Sequence, residues 1–241
     1  MNVVILAAGP ERADESSGDY PLCLAEFDGH PLIEKTIESI HALTPSNFIF
    51  CFKSSDIREF HLDDITSILA PGAYVIGIKS KTGGAACTAL LAAGFIDSDE
   101  ELLILNGNEL LEIDFHQTVE NFRSADADAG VVTFPSVHPR YSYVRVDEQD
   151  LVVEAAEKRP ISRMATAGFY WFKRGKDFVR SAQNMIRKGA ATNGAFYICP
   201  TLNEMVLEQK NIRHVGMSAG AYHPLKNSRQ LQQYEHSLSK D

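Results

Sequence analysis

Apolar positions along this chain follow two alternating rhythms. Residues 3–7, 48–52, 74–78 and 102–105 form short runs of β-branched, aromatic and aliphatic side chains. Each is four or five residues long, the length expected of strands buried on both faces. Between these runs the spacing becomes helical. Leu32, Ile33, Ile37 and Ile40 share one face of a helix over 31–40, which begins on a proline suited to a first turn. Ile57, Phe60, Ile65 and Ile68 mark a second helix over 56–70, and the small residues of 82–95 mark a third, able to lie close on a sheet. Alternation of this kind predicts right-handed crossovers and a mostly parallel sheet with helices on both faces.

Beyond Gly130 the rhythm changes. Strands are expected at 131–134, 142–146, 151–155 and 168–172, with so few residues between them that hairpins or an antiparallel extension follow. Helical periods return at 176–188, 201–209 and about 228–238. No repeat, low-complexity tract or linker interrupts the 241 residues, so one domain over 1–241 is predicted.

Charge narrows the chemistry. The net charge is −9, from 23 Lys and Arg against 32 Asp and Glu. Such a balance argues against nucleic acid and anionic membranes as partners and requires any anionic substrate to be held by a local basic or metal site. No apolar run reaches the length of a membrane span, and the first residues lack the basic start of a signal peptide. Cys23, Cys51, Cys87 and Cys199 are scattered, which favours free thiols and a cytoplasmic setting over a zinc site.

The first strand ends in Leu6-Ala7-Ala8-Gly9, small residues that let a ligand approach the backbone at the carboxyl end of a strand; the same residues would also suit a plain tight turn. GxGxxG is absent. The LAAG opening and the segment from Pro21 to Ile33 resemble the start of the sugar-phosphate nucleotidylyltransferases. Further matches follow in order: Thr82-Gly83-Gly84 to the family's base segment, Leu103 to Asn108 to its "ilNgD" strand end, and Glu157-Lys158-Arg159-Pro160 to its EKP. The stretch from His138 to Phe178 and the NGAFY segment are similar to the subgroup found in capsule and surface-polysaccharide loci.

The resemblance implies a three-layer α/β/α Rossmann-like fold of the nucleotide-diphospho-sugar transferase type, with a mixed, mostly parallel sheet. It also implies transfer of a nucleotidyl group from a nucleoside triphosphate to a sugar phosphate, with pyrophosphate released and Mg²⁺ bridging the phosphates. Carried over residue by residue, Leu6, Ala7, Ala8, Gly9, Thr82, Gly83, Gly84 and Asn106 would meet the nucleotide. Glu157, Lys158, Gly168 and Tyr170 would meet the acceptor, and Arg12 with Lys158 would act on the phosphates. Asn108 and Glu109 stand at the metal position. Each has a plainer reading: a helix-entry turn for Gly83-Gly84, a solvated strand end for Lys158, a bulge for Gly168.

The departures from the family pattern share a direction. Leu22 replaces the lysine of PK; Pro10 and Glu11 distort the glycine-rich loop; Glu11, Asp14, Glu15 and Asp19 surround Arg12; Asn108 replaces an aspartate. Each removes positive charge near a triphosphate or negative charge near a metal, or adds repulsion. Glu112 and Asp114 are the next acids available, and 225–231 lacks the acid of the family's corresponding segment. Two other readings therefore stand beside nucleotidyl transfer. One is a homologue that binds a nucleotide, nucleotide sugar or sugar phosphate with little or no turnover. The other is a glycosyltransferase of related architecture using Asp126-Ala127-Asp128. His138-Pro139-Arg140 reads as a turn between strands or a phosphate-side element, and Lys173, Arg174 and Lys176 as a solvated helix start.

Overall fold

The apolar runs become strands of one nine-stranded sheet. The computed structural model describes residues 1–9, 20–27 and 29–225. In the first half, β1 (Asn2–Leu6) is followed by a two-residue hairpin, β2 (Glu26–Phe27) and β3 (His30–Pro31), then α1 (Leu32–His41), β4 (Asn47–Lys53), α2 (Ser54–Phe60), α3 (Leu62–Leu69), β5 (Tyr74–Ile78), α4 (Ala85–Leu90), α5 (Ala93–Ile96) and β6 (Leu102–Asn106). The second half holds β7 (Glu109–Leu111), α6 (Phe115–Ser124), β8 (Ala129–Pro135), β9 (Ser142–Val146), β10 (Val152–Glu157), β11 (Met164–Phe172), α7 (Gly175–Arg187), α8 (Leu202–Leu207), β12 (Ile212–Gly216) and β13 (Tyr222–Pro224).

Strands β6, β1, β4 and β5 are parallel neighbours in that order. The expected antiparallel extension is present: β11 runs against β6, β8 and β9, and β10 against β9. Period-two alternation sends successive residues to opposite faces. Val3, Ile5, Phe50, Phe52, Leu103 and Trp171 face one core layer, shared with α1 and α6, while Val4, Ile49, Cys51, Ile104 and Phe172 face the other, shared with α4 and α7. Burial of this kind stabilises by roughly 25 cal/mol per Å² of apolar surface.

Several elements differ from expectation. The helix expected over 56–70 is two helices, because His61 adopts a left-handed conformation (φ 52°) between α2 and α3. The periodicity fails with it: Ile68, expected on the buried face, is 76% exposed. The segment 82–95 likewise breaks, at Leu91 and Ala92, into α4 and α5. Short β7, β12 and β13 and the helix α6 had no strong periodic signal; α6 is capped by Asp114, whose Oδ1 accepts the Gln117 N–H at 2.9 Å. The helix expected at about 228–238 lies outside the described residues. No helix among those described is long and apolar enough to cross a membrane.

Candidate functional site

β11 has nine residues, and its partner on one edge changes part-way. Phe169 to Phe172 pair with β6, whereas Met164 and Ala165 pair with β9. On the other edge the register with β8 shifts between Thr166 and Tyr170. The sheet is therefore open along Thr166–Gly168, just beyond the tip of β6, and a cleft of about 880 Å³ occupies this opening and the strand tips beside it. Ligands of open α/β sheets bind in this position, outside the carboxyl ends of the parallel strands.

Gly168 is held at the cleft floor by the group facing it. Its N–H donates to Glu109 Oε2 at 2.6 Å, and the Asn106 Nδ2 group donates to Glu109 Oε1 at 3.1 Å. Any Cβ at 168 would lie 2.3 Å from Asn106 Nδ2, so only glycine fits. The bulge and the ligand-facing glycine are thus one feature. Glu109 is nearly buried and lies close enough to Tyr222 to raise that phenol's pKa, burial being the larger cause. Tyr170 is also nearly buried; its hydroxyl pairs with Thr166 Oγ1 at 2.9 Å, and burial first, then nearby thiol and carboxylate groups, hold it protonated.

Lys158 follows β10 with φ 54°, a left-handed conformation uncommon for a side-chain-bearing residue. Its N–H donates to Tyr141 O at 3.0 Å, and its ammonium donates to the Tyr197 hydroxyl at 2.8 Å. That hydrogen bond is the main cause of its raised pKa. Glu157 is bound by the Ser142 hydroxyl. Arg140, on the turn between β8 and β9, lies over the Tyr141 ring and also lines the cleft, so it is both turn and wall.

Leu6, Ala8, Gly9, Thr82, Gly84, Asn106, Asn108, Glu109, Glu157, Lys158, Gly168 and Tyr170 all line the cleft. Two residues do not. Ala7 gives its N–H to Cys51 O and lines a small adjacent recess. Gly83 accepts the Phe196 N–H on its carbonyl at 2.8 Å and does not line the cleft. Gly84 (φ 129°) is the entry to α4, and a Cβ there would meet Phe196 O at 2.3 Å. Arg12 lies outside the described residues. Tyr197, Ser142 and Cys199 join the wall without having been anticipated, as do Lys53, Arg58, Lys79 and Lys81 at the tips of β4 and β5.

The metal position was tested on its donors. Asn108 supplies no charge, Glu109 has each oxygen engaged by an N–H group, Glu112 pairs with His223 at 2.9 Å, and Asp114 caps α6. Among the described residues no group of three or more His, Cys, Asp or Glu could hold a metal ion. Among the described residues these donors form no all-protein cage for Mg²⁺, which ordinarily takes one or two carboxylates together with substrate phosphates. Asp126 and Asp128 lie away from the cleft lining, paired with Lys173 and Lys210, so the glycosyltransferase reading loses its acid pair. Lys173, Arg174 and Lys176 are ion-paired rather than simply solvated.

The nucleotidyl transferase family model matches residues 18–199, three-quarters of the chain, starting after β1. The chain belongs to the nucleotidyl transferase family. Among curated proteins the chain is similar to the bifunctional protein GlmU of Prochlorococcus marinus (strain MIT 9211), 27% identical over 232 residues, covering 88% of this chain and 48% of that protein. It therefore spans about half the length of that relative. A nucleoside-diphosphate-sugar pyrophosphorylase from Vibrio cholerae RC9 superposes with a TM-score of 0.83 at 19% identity, covering 98% of this chain and all of that one. A Bacillus anthracis protein assigned as a glucose-1-phosphate thymidylyltransferase, solved with sucrose, superposes at 0.76 with 20% identity, covering 100% of this chain and 96% of that one. Both share the fold: a mixed sheet between helices of the nucleotide-diphospho-sugar transferase type.

Proposed function

We propose that this nucleotidyl transferase joins a nucleoside triphosphate to a sugar phosphate or a similar phosphate and releases pyrophosphate. An acceptor phosphate oxygen attacks the α-phosphorus; the new O–P bond forms as the bond to the bridging oxygen of the β-phosphate breaks, and that oxygen's electron pair leaves with pyrophosphate. One observation carries the reading: a single cleft holds Gly9 on one wall and Lys158 on another, above the open backbone of Gly168. Lys158 has the charge and reach to hold the acceptor phosphate, releasing Tyr197 as it does so. Thr82 and Gly84 would border the nucleoside, with Gly83 shaping the turn. Glu157 and Tyr170 would contact the acceptor sugar. Arg12 is assigned to the triphosphate by motif alone. We assign Mg²⁺ to the triphosphate itself, as its counter-ion on arrival, and route no step through a resident ion. Cytoplasmic synthesis of a surface-polysaccharide precursor fits the subgroup resemblance and the free thiols.

A binding homologue with little turnover is the second reading, favoured by one position. Leu22, where the family carries lysine, packs against Leu32 and Leu225 and lines the recess beside the cleft, to which it brings no charge. A screen of nucleoside triphosphates against sugar phosphates, with and without Mg²⁺, separates the two by pyrophosphate release. Turnover above blank supports transfer. Ligand-induced thermal stabilisation without release supports the binding homologue, as does a rise in rate on Asn108→Asp.

A further inference from the structure

Three strands of the nine-stranded sheet pair on one side only: β10, β12 and β5. Side chains close two of these edges. On β10 the Asn203 carboxamide binds both backbone groups of Ala155: its Oδ1 accepts the Ala155 N–H and its Nδ2 group donates to Ala155 O, each at 2.8 Å. On β12, Arg213 donates to Gln149 O at 3.0 Å and His214 pairs with Asp150 at 2.9 Å, which holds the β9–β10 turn against that strand. β5 has neither device. Its residues Tyr74, Val75, Ile76, Gly77 and Ile78 include no charge and no proline, and they pair with β4 without a bulge, so the usual protections of a free edge are missing. Backbone groups of alternate residues point to opposite sides of a strand, and the outward set of β5 has no strand partner among the described residues.

The flanks of this edge are apolar as well. Val75 and Ile76 belong to opposite core layers but are only partly buried, whereas Phe50 and Cys51, their partners on β4, are fully buried. Tyr74 is 43% exposed and lies against Phe95, with ring centroids 4.4 Å apart. Leu91, at the junction of α4 and α5, and Ile68, on α3 across the sheet, are exposed too. The sheet thus ends in a strand with apolar side chains on both of its faces and open hydrogen-bonding groups along its rim.

Charge says what covers it. The chain carries 32 Asp and Glu, yet none lies between Asp64 and Asp97, a stretch that holds β5, α4, α5 and most of α3. Its only charges are Lys79 and Lys81. Two chains of net charge −9 repel where their acidic surfaces meet, and here they can meet without acids. We propose that β5 pairs antiparallel with the β5 of a second copy about a two-fold axis at Ile76, joining the two sheets into one. Such an interface is self-complementary. Ile76 faces its own equivalent, and Tyr74 of each copy faces Ile78 of the other. Lys79 then stands opposite Ala73 and Lys81 opposite Pro71, so no like charges oppose. Five paired residues fall short of the roughly 800 Å² per partner of a standard interface, and Ile68, Leu91 and Phe95 extend the contact on both faces. The strands run in opposite directions across the axis, so the two clefts open at opposite ends of the dimer and both stay accessible. This inference goes beyond the nucleotidyl-transfer reading and does not depend on it.

Sedimentation velocity on the full chain, from about 1 to about 100 µM, tests it. Wild type is expected to be a dimer at the upper concentration. Tyr74→Lys combined with Leu91→Lys, at two exposed positions of this edge, should weaken association by about tenfold or more. Val153→Lys combined with Leu207→Lys, at exposed apolar positions on β10 and α8, should leave it within about threefold. Hydrogen exchange on wild type needs no variant: the amides of 74–78 should be protected about tenfold more at the upper concentration than at the lower. Thermal melts verify that the variants are folded, and if the Tyr74→Lys, Leu91→Lys protein is not, the exchange measurement decides alone. The proposal is overturned by a monomer at the upper concentration, by a dimer whose 74–78 amides gain no protection, by a folded Tyr74→Lys, Leu91→Lys variant that associates as wild type does, or by dissociation of the Val153→Lys, Leu207→Lys variant.

Discussion

Replacing Gly168 by alanine is the sharpest test of the cleft floor. The added Cβ would lie 2.3 Å from Asn106 Nδ2 and 2.5 Å from Cγ, well inside contact distance. Asn106 is tethered by its 3.1 Å bond to Glu109, so it cannot swing aside without leaving a nearly buried carboxylate short of a donor. Overpacking costs about 1–3 kcal/mol, and the lost bond to a charged group adds about 1–2 kcal/mol. Relaxation offsets part of this, so a loss of about 2–4 kcal/mol is expected, or a fall in Tm of about 4–16 °C for a domain of this size. Circular-dichroism melts measure it. The Asn106 Cβ would itself lie 2.6 Å from the added methyl, so Asn106→Gly is the change that clears the obstruction, and the double variant should be less destabilised than the sum of the two single variants. A Gly168→Ala protein melting within 2 °C of wild type, or strictly additive losses, would refute the account of why glycine stands there.

Lys158→Ala should reduce acceptor-dependent turnover about 10²–10³-fold, measured as pyrophosphate release. Tyr197→Phe removes the hydroxyl that raises the Lys158 pKa, so the alkaline limb of acceptor binding should move to lower pH, read from affinity against pH. Burial pushes the Cys23, Cys51 and Cys199 thiols up to about 12 from 9.0, so they stay protonated in the folded chain where the unfolded chain ionises. The stability they contribute is whole below pH 9 and is lost as pH rises towards about 12, which urea melts across that range would show. His61→Gly should relieve the left-handed strain between α2 and α3 by about 1 kcal/mol, visible as a higher Tm.

Strands were the legible part of the fold. The runs at 74–78 and 142–146 coincide with β5 and β9, because strands write their pattern locally as apolar, β-branched residues, although β5 is an edge strand with no buried residue rather than one buried on both faces. Helix limits were less legible: nothing in 56–70 announces the left-handed residue at His61 that divides α2 from α3. β12 and β13 are too short and mixed to signal themselves, and β12 joins the sheet beside β8, far from it in sequence. In the site, motif-borne residues such as Gly9, Lys158 and Gly168 were visible. Tyr197 and the cations of β4 and β5 were not, since isolated lysines at strand tips look like any solvated lysine until the strands are set side by side. The structure also redirected Gly83 and Glu109, whose polar atoms are occupied by neighbours from distant segments.

Because β11 belongs to both parts of the sheet, the aperture between the parallel strands and the β9–β10 arm is governed by the bend of one ribbon. The few residues of that ribbon left without an edge partner act as its hinge line, and the Asn106–Glu109 clasp fixes the hinge angle. Relatives built on this plan could widen or narrow their reach for larger or smaller acceptors by altering the clasp at the cleft floor.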